Sequence, residues 1–149
     1  MKIFMTFISL CFALSVFACP ELSGSFQSCK VEGYYPGFDM KSLRISQKKN
    51  DLGVMIFTFD LETQEGELSV QKLVANGLPE VTYETEDETR FKITKTSTCE
   101  ESALVNHEKV EVEDMGFSME ATESFTLKED KLEIQVQSLG EVLAIVICE

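Results

Sequence analysis

The sequence predicts one all-β domain, an antiparallel meander, and three observations carry that expectation. Apolar and polar residues alternate with period two in most segments from Ser23 onward. Turn-forming residues separate those segments at short intervals, and no segment shows a helical period with caps. Phe91 and Ile93 alternate with Arg90, Lys92 and Thr94, and Leu132, Ile134 and Val136 alternate with Lys131, Glu133, Gln135 and Gln137. Val81 and Tyr83 alternate in the same way with Thr82 and Glu84. Each pattern is that of a strand with one buried and one solvated face. Residues 53–59 (GVMIFTF) and 143–147 (LAIVI) are apolar on both faces and short, so they are expected as central strands.

The punctuation agrees with this reading. Asn50-Asp51-Leu52-Gly53, Glu65-Gly66, Asn76-Gly77-Leu78-Pro79, Glu129-Asp130 and Leu139-Gly140 fall between the runs, where hairpins need Gly, Asn or Asp. The expectation is about nine or ten short strands joined sequentially. Such a meander must manage its edges, and closure into a small β-barrel does so directly; a two-sheet β-sandwich is the alternative.

Residues 1–18 stand apart from this domain. Lys2 supplies a positive start, Ile3 to Phe17 is largely apolar, and Val16-Phe17-Ala18 resembles a peptidase site, so a signal peptide is expected there and the all-β domain over 19–149. No later segment is apolar enough to span a bilayer core of about 30 Å as a helix. Loss of Cys11 with the signal leaves Cys19, Cys29, Cys99 and Cys148, an even number in an oxidising compartment, which implies two disulfides. Three pairings are open; the sequence favours Cys19–Cys29 as a local tie and Cys99–Cys148 as a long one. The expected location is secreted or periplasmic, with lipidation of Cys19 as the alternative.

The net charge is -13, and removal of Lys2 with the signal makes it -14. That balance disfavours nucleic acid and anionic membranes, whose capture depends on Lys and Arg, and favours a basic protein partner. His107 is the sole histidine, so neither a Cys/His zinc site nor a well-partnered triad is expected. Ser97, Ser102, Ser118 and Ser124 lack a nucleophile-elbow motif. The 60–68 stretch (DLETQEGEL) misses the spacing of a calcium loop and reads as a solvated turn. No cofactor, metal or catalytic residue is expected, and a hydrolase built on paired carboxylates is the least favoured reading.

Two features break the strand pattern. Between Met115 and Leu127, Glu123 falls on the apolar register beside Phe117, Met119 and Phe125. A bulge near Thr122 would reset the phase; otherwise a carboxylate points into the interior and needs a partner. The second is the 32–40 segment, which gathers Tyr34, Tyr35 and Phe38 around Pro36-Gly37. Aromatics at a loop tip are contact surface for a ligand or a plug for a barrel end. Tyr34, Tyr35, Phe38 and Glu123 are therefore the candidate ligand-binding residues.

The opening Cys19-Pro20-Glu21-Leu22-Ser23-Gly24-Ser25-Phe26, with its Gly-x-aromatic step and the spacing of the four cysteines, resembles small cysteine-bearing exported β-proteins of Gram-negative bacteria, a group of uncharacterised function. More distantly it is similar to lipocalins, whose first strand carries Gly-x-Trp where this chain has Phe26. That resemblance implies a barrel with a loop over its mouth and a small apolar ligand within. The expected function is accordingly non-enzymatic binding, of a small apolar ligand or, alternatively, as an acidic interaction module or inhibitor acting on a basic partner.

Overall fold

The computed structural model describes residues 18–33, 40–112 and 115–149. The expected signal peptide therefore lies, but for Ala18, outside the described residues, as does the 34–39 segment. The chain is all-β: β1 Gly24–Phe26, β2 Cys29–Gly33, β3 Met40–Lys49, β4 Met55–Thr63, β5 Leu68–Ala75, β6 Pro79–Glu86, β7 Thr89–Glu100, β8 Ala103–Val112, β9 Phe117–Lys128, β10 Lys131–Ser138 and β11 Glu141–Cys148. They form two antiparallel sheets, one ordered β1-β3-β4-β5 and one ordered β2-β11-β10-β9-β8-β7-β6. Among the described residues neither sheet closes on itself. A sandwich-like arrangement fits, and the expected closed barrel lacks a continuous ladder.

The two doubly apolar runs are central, as their composition demands. β4 lies between β3 and β5, and β11 lies between β2 and β10. Between the sheets, Leu43, Ile45, Phe57, Phe59 and Leu73 of the small sheet meet Leu104, Phe125, Leu132, Ile134 and Val146 of the large one. Phe59 and Phe125 cross the interface with ring centroids 5.0 Å apart. Each such side chain contributes about 1.5–3 kcal/mol on full burial, so this layer is the main source of stability.

The chain passes from one sheet to the other three times, between β1 and β2, β2 and β3, and β5 and β6, and two of these connections lie within the described residues. At Gln27–Ser28 the chain leaves β1 and enters β2, where Gln27 N donates to Glu149 O at 2.8 Å and Glu149 N donates to Ser28 O at 3.1 Å. At residues 76–78 it leaves β5 and enters β6, and Gly77 N donates to Ser97 O of β7 at 3.0 Å. Gly77 sits at φ 69°, a conformation that suits glycine. This segment, expected as a hairpin turn, is instead a corner where the path bends between sheets.

The disulfides lock these corners, and their pairing corrects the expected one: Cys19 joins Cys99 and Cys29 joins Cys148. Cys29 and Cys148 face each other in the β2–β11 ladder with Cα atoms 4.0 Å apart. Cys19 and Cys29 do not meet because the residues between them run through β1 in one sheet into β2 in the other. Extended chain advances about 3.3 Å per residue, so nearness in sequence becomes distance in space. The Sγ of Cys19, the atom that lipidation would use, is bonded to Cys99 here.

Three hairpins turn on residue pairs with both φ angles positive: Asp87-Glu88 (46° and 67°), Glu129-Asp130 (49° and 65°) and Leu139-Gly140 (52° and 82°). These are the signs of type I′ turns, whose twist matches that of the strands. Glu88 lacks the freedom of glycine there. Replacement Glu88→Gly should raise stability by about 0.5–1 kcal/mol, read as a higher urea midpoint at unchanged slope. Non-reducing peptide mapping should recover 19–99 and 29–148 linkages, and Cys29→Ser with Cys148→Ser should cost about 2–5 kcal/mol.

Candidate functional site

The inner face of the large sheet changes character along its strands. Cys99, Leu104 and Phe125 stand opposite one another on β7, β8 and β9 and belong to the core. One rung further, the same face carries Ser97, Asn106 and Glu123. Ser97 Oγ donates to Asn106 Oδ1 at 3.0 Å, and Asn106 Nδ2 donates to Glu123 Oε2 at 3.1 Å. Asn106 is 0% exposed and Ser97 4% exposed. Buried amides and hydroxyls are tolerated only with partners, and this chain provides them.

Glu123 therefore does point inward. The β9 register runs without a shift against both β8 and β10, so the bulge that would have reset its phase is absent. The carboxylate is half-buried and meets Asn106, a residue the sequence reading passed over. Its signal was there: Asn106 follows Leu104 at period two, on the face that carries Leu104 into the core.

The next rung is the ion pair Lys95–Glu108, 3.0 Å apart. Beyond it the face becomes apolar again. Ile93, Val110 and Met119 form one rung, and Phe91, Val112 and Phe117 form the next. Val112 is buried, yet Phe117 and Met119 are 53% and 57% exposed. Here β9 has run past the end of β10, whose pairing stops at Thr122. The β6–β9 portion thus extends as a four-stranded ribbon whose inner face is apolar on β7, β8 and β9 and carries Glu80, Thr82, Glu84 and Glu86 on β6.

The outer face is polar on β7, β8 and β9. Glu111 accepts from Lys92 at 2.9 Å and lies 3.2 Å from Lys109, and the Lys92 hydrogen bond, then that of Lys109, holds its carboxyl below the ordinary range. His107 also faces outward, with Nδ1 2.8 Å from Thr122 Oγ1. Ser97, a conceivable nucleophile, is on the opposite face, hydrogen-bonded to Asn106. Among the described residues, no three His, Cys, Asp or Glu side chains converge as metal ligands. The 60–68 stretch is a hairpin turn, with Thr63 Oγ1 accepting from Glu67 N at 3.0 Å.

Tyr34, Tyr35 and Phe38 lie outside the described residues. Their flank Gly33 does not: it pairs with Ala144, which pairs with Val136, which pairs with Glu123. Among the described residues, no helix is long and apolar enough to cross a membrane. No protein-family model matches the chain, and no curated protein matches it.

Two outcomes follow from these contacts. Asn106→Leu should destabilise the fold by about 1–3 kcal/mol, because Glu123 and Ser97 lose their shared partner while still half-buried or buried; urea titration checks this. Glu111 has a depressed folded-state pKa, so its stabilising contribution is present above its ordinary pKa and fades as pH falls through the lowered one. Glu111→Gln should flatten the acid limb of the stability–pH curve while leaving its alkaline limb in place.

Proposed function

We propose that this chain is an exported, non-enzymatic binding protein that takes a small apolar or amphipathic ligand on the inner face of β7, β8 and β9, where the ribbon is apolar. One observation carries the reading: Phe117 and Met119 share a sheet face with the core, yet remain half exposed beyond the Lys95–Glu108 pair. Apolar side chains in this setting are typical of grooves that receive a ligand. In this reading the two bent connections complete a flattened, nearly closed barrel, and the ribbon forms its open end. The dry layer around Phe57, Phe59 and Phe125 fills the middle, so the ligand sits at the mouth rather than deep inside.

Chemistry and location support the same reading. Glu111, Glu108 and Glu62 are engaged by lysines within 2.7–3.2 Å, which suits structural ion pairs better than an acid/base dyad. Two disulfides and an apolar leader favour a secreted or periplasmic setting.

The test is uptake of a neutral apolar fluorophore, with native mass spectrometry of the exported protein to reveal any co-purifying small molecule. Phe117→Glu with Met119→Glu should weaken uptake at least tenfold at an unchanged melting temperature, since both side chains are already half in water. Unchanged uptake by the folded double variant, or none by the parent protein, overturns the proposal.

A further inference from the structure

A different surface carries the inference we draw next, and it does not depend on the apolar mouth. All eight residues of β6 are exposed, and among the described residues its sole ladder neighbour is β7. Val81 and Tyr83 were expected on a half-buried strand but are 44% and 54% exposed. A strand paired on one side turns alternate backbone N–H and C=O groups outward. Those groups form a template for one more strand.

The side chains flanking that template are sorted by face. Glu80, Thr82, Glu84 and Glu86 point one way, opposite Lys95, Ile93, Phe91 and Thr89 of β7. Val81, Tyr83 and Thr85 point the other way, and the Arg90 guanidinium lies 4.7 Å from the Tyr83 ring centroid. At the beginning of the strand, a cleft of about 420 Å³ opens beside β5, β6 and β7, bordered by Leu73, Leu78, Pro79 and Glu80 and by the cations Lys72 and Lys95. An added strand would therefore meet three glutamates on one face and an aromatic–aliphatic strip on the other, with room at one end, beside Lys72 and Lys95, for an uncharged terminal side chain.

We propose that the β6 edge captures an extended basic segment of a partner protein, one that alternates Lys or Arg with apolar residues. Charge complementarity selects this occupant. Cross-strand neighbours of opposite charge attract and like charges repel, so basic residues are favoured beside Glu80, Glu84 and Glu86 and apolar residues beside Val81 and Tyr83. A second copy of this chain is the wrong occupant, because it presents the same glutamates and a further net charge of -13. The acidic edge thus blocks self-pairing and admits a basic strand.

An eight-residue peptide alternating lysine with valine tests this against the full disulfide-bonded protein. Binding should protect backbone amides within residues 79–86 from hydrogen exchange. Glu84→Lys with Glu86→Lys should weaken it at least tenfold, whereas Phe117→Glu with Met119→Glu should leave it unchanged. N-methylation separates strand addition from charge attraction alone. Methylating the alternate peptide amides that face the protein should abolish binding, and methylating the other set should not. Equal binding by both methylated peptides, or no binding of the unmodified one, overturns the proposal.

Discussion

The inner apolar face of the large sheet is longer than the small sheet that packs on it, and much of the molecule follows from that mismatch. Four strands cover the rungs around Leu104, Phe125, Ile134 and Val146, and there the interior is dry. Beyond them β7, β8 and β9 continue, and of their inner residues Val112 is buried while those of β9 meet water or an occupant. Burial of apolar area is non-directional, so the exposed rungs retain a driving force for contact that the fold itself leaves unused. Phe117 and Met119 sit in that position.

The transition between dry and wet rungs is polar, and this has a physical logic. A continuous apolar face from Phe125 to Phe117 would favour any packing that slid the sheets towards the uncovered end. Ser97, Asn106 and Glu123 form a rung in which each group meets another of the set, and displacement would strand a buried amide. An unpaired buried polar group costs about 1–3 kcal/mol, enough to penalise the slipped arrangement. The Lys95–Glu108 pair marks the same boundary one rung out. The disulfides act at the ends of this interface: Cys29–Cys148 fixes β2 to the last strand, and Cys19–Cys99 ties the chain before β1 to β7.

Local features of this fold were legible in the sequence and relations across it were not. Period-two patterning identified strands at 81–84, 90–94 and 131–137, and composition identified β4 and β11 as central. These signals are local because a strand's side-chain alternation is local. The inward Glu123 was visible as a phase anomaly, but whether a bulge absorbed it depended on the neighbouring ladders. Asn106, which receives it, carries no motif. The cysteine pairing failed for a related reason: a corner between Phe26 and Cys29 turns a ten-residue separation into a change of sheet. The exposure of β6 was equally hidden, since alternation identifies two faces without saying whether a second layer covers either one.

The acidic composition gains a more specific meaning in this light. Spread over the surface, a charge of -13 acts mainly through solubility and long-range attraction. On the ribbon, however, the acids are segregated by structural role. Glu108 and Glu111 are neutralised by lysines within the sheet, while Glu80, Glu84 and Glu86 line its open edge. An edge strand needs protection against indiscriminate pairing, and charged side chains provide it by making a wrong neighbour costly. Such protection is selective by sign: it excludes acidic and apolar strands, including this chain's own, more strongly than basic ones. Edge protection and partner choice are therefore two consequences of one placement of charge.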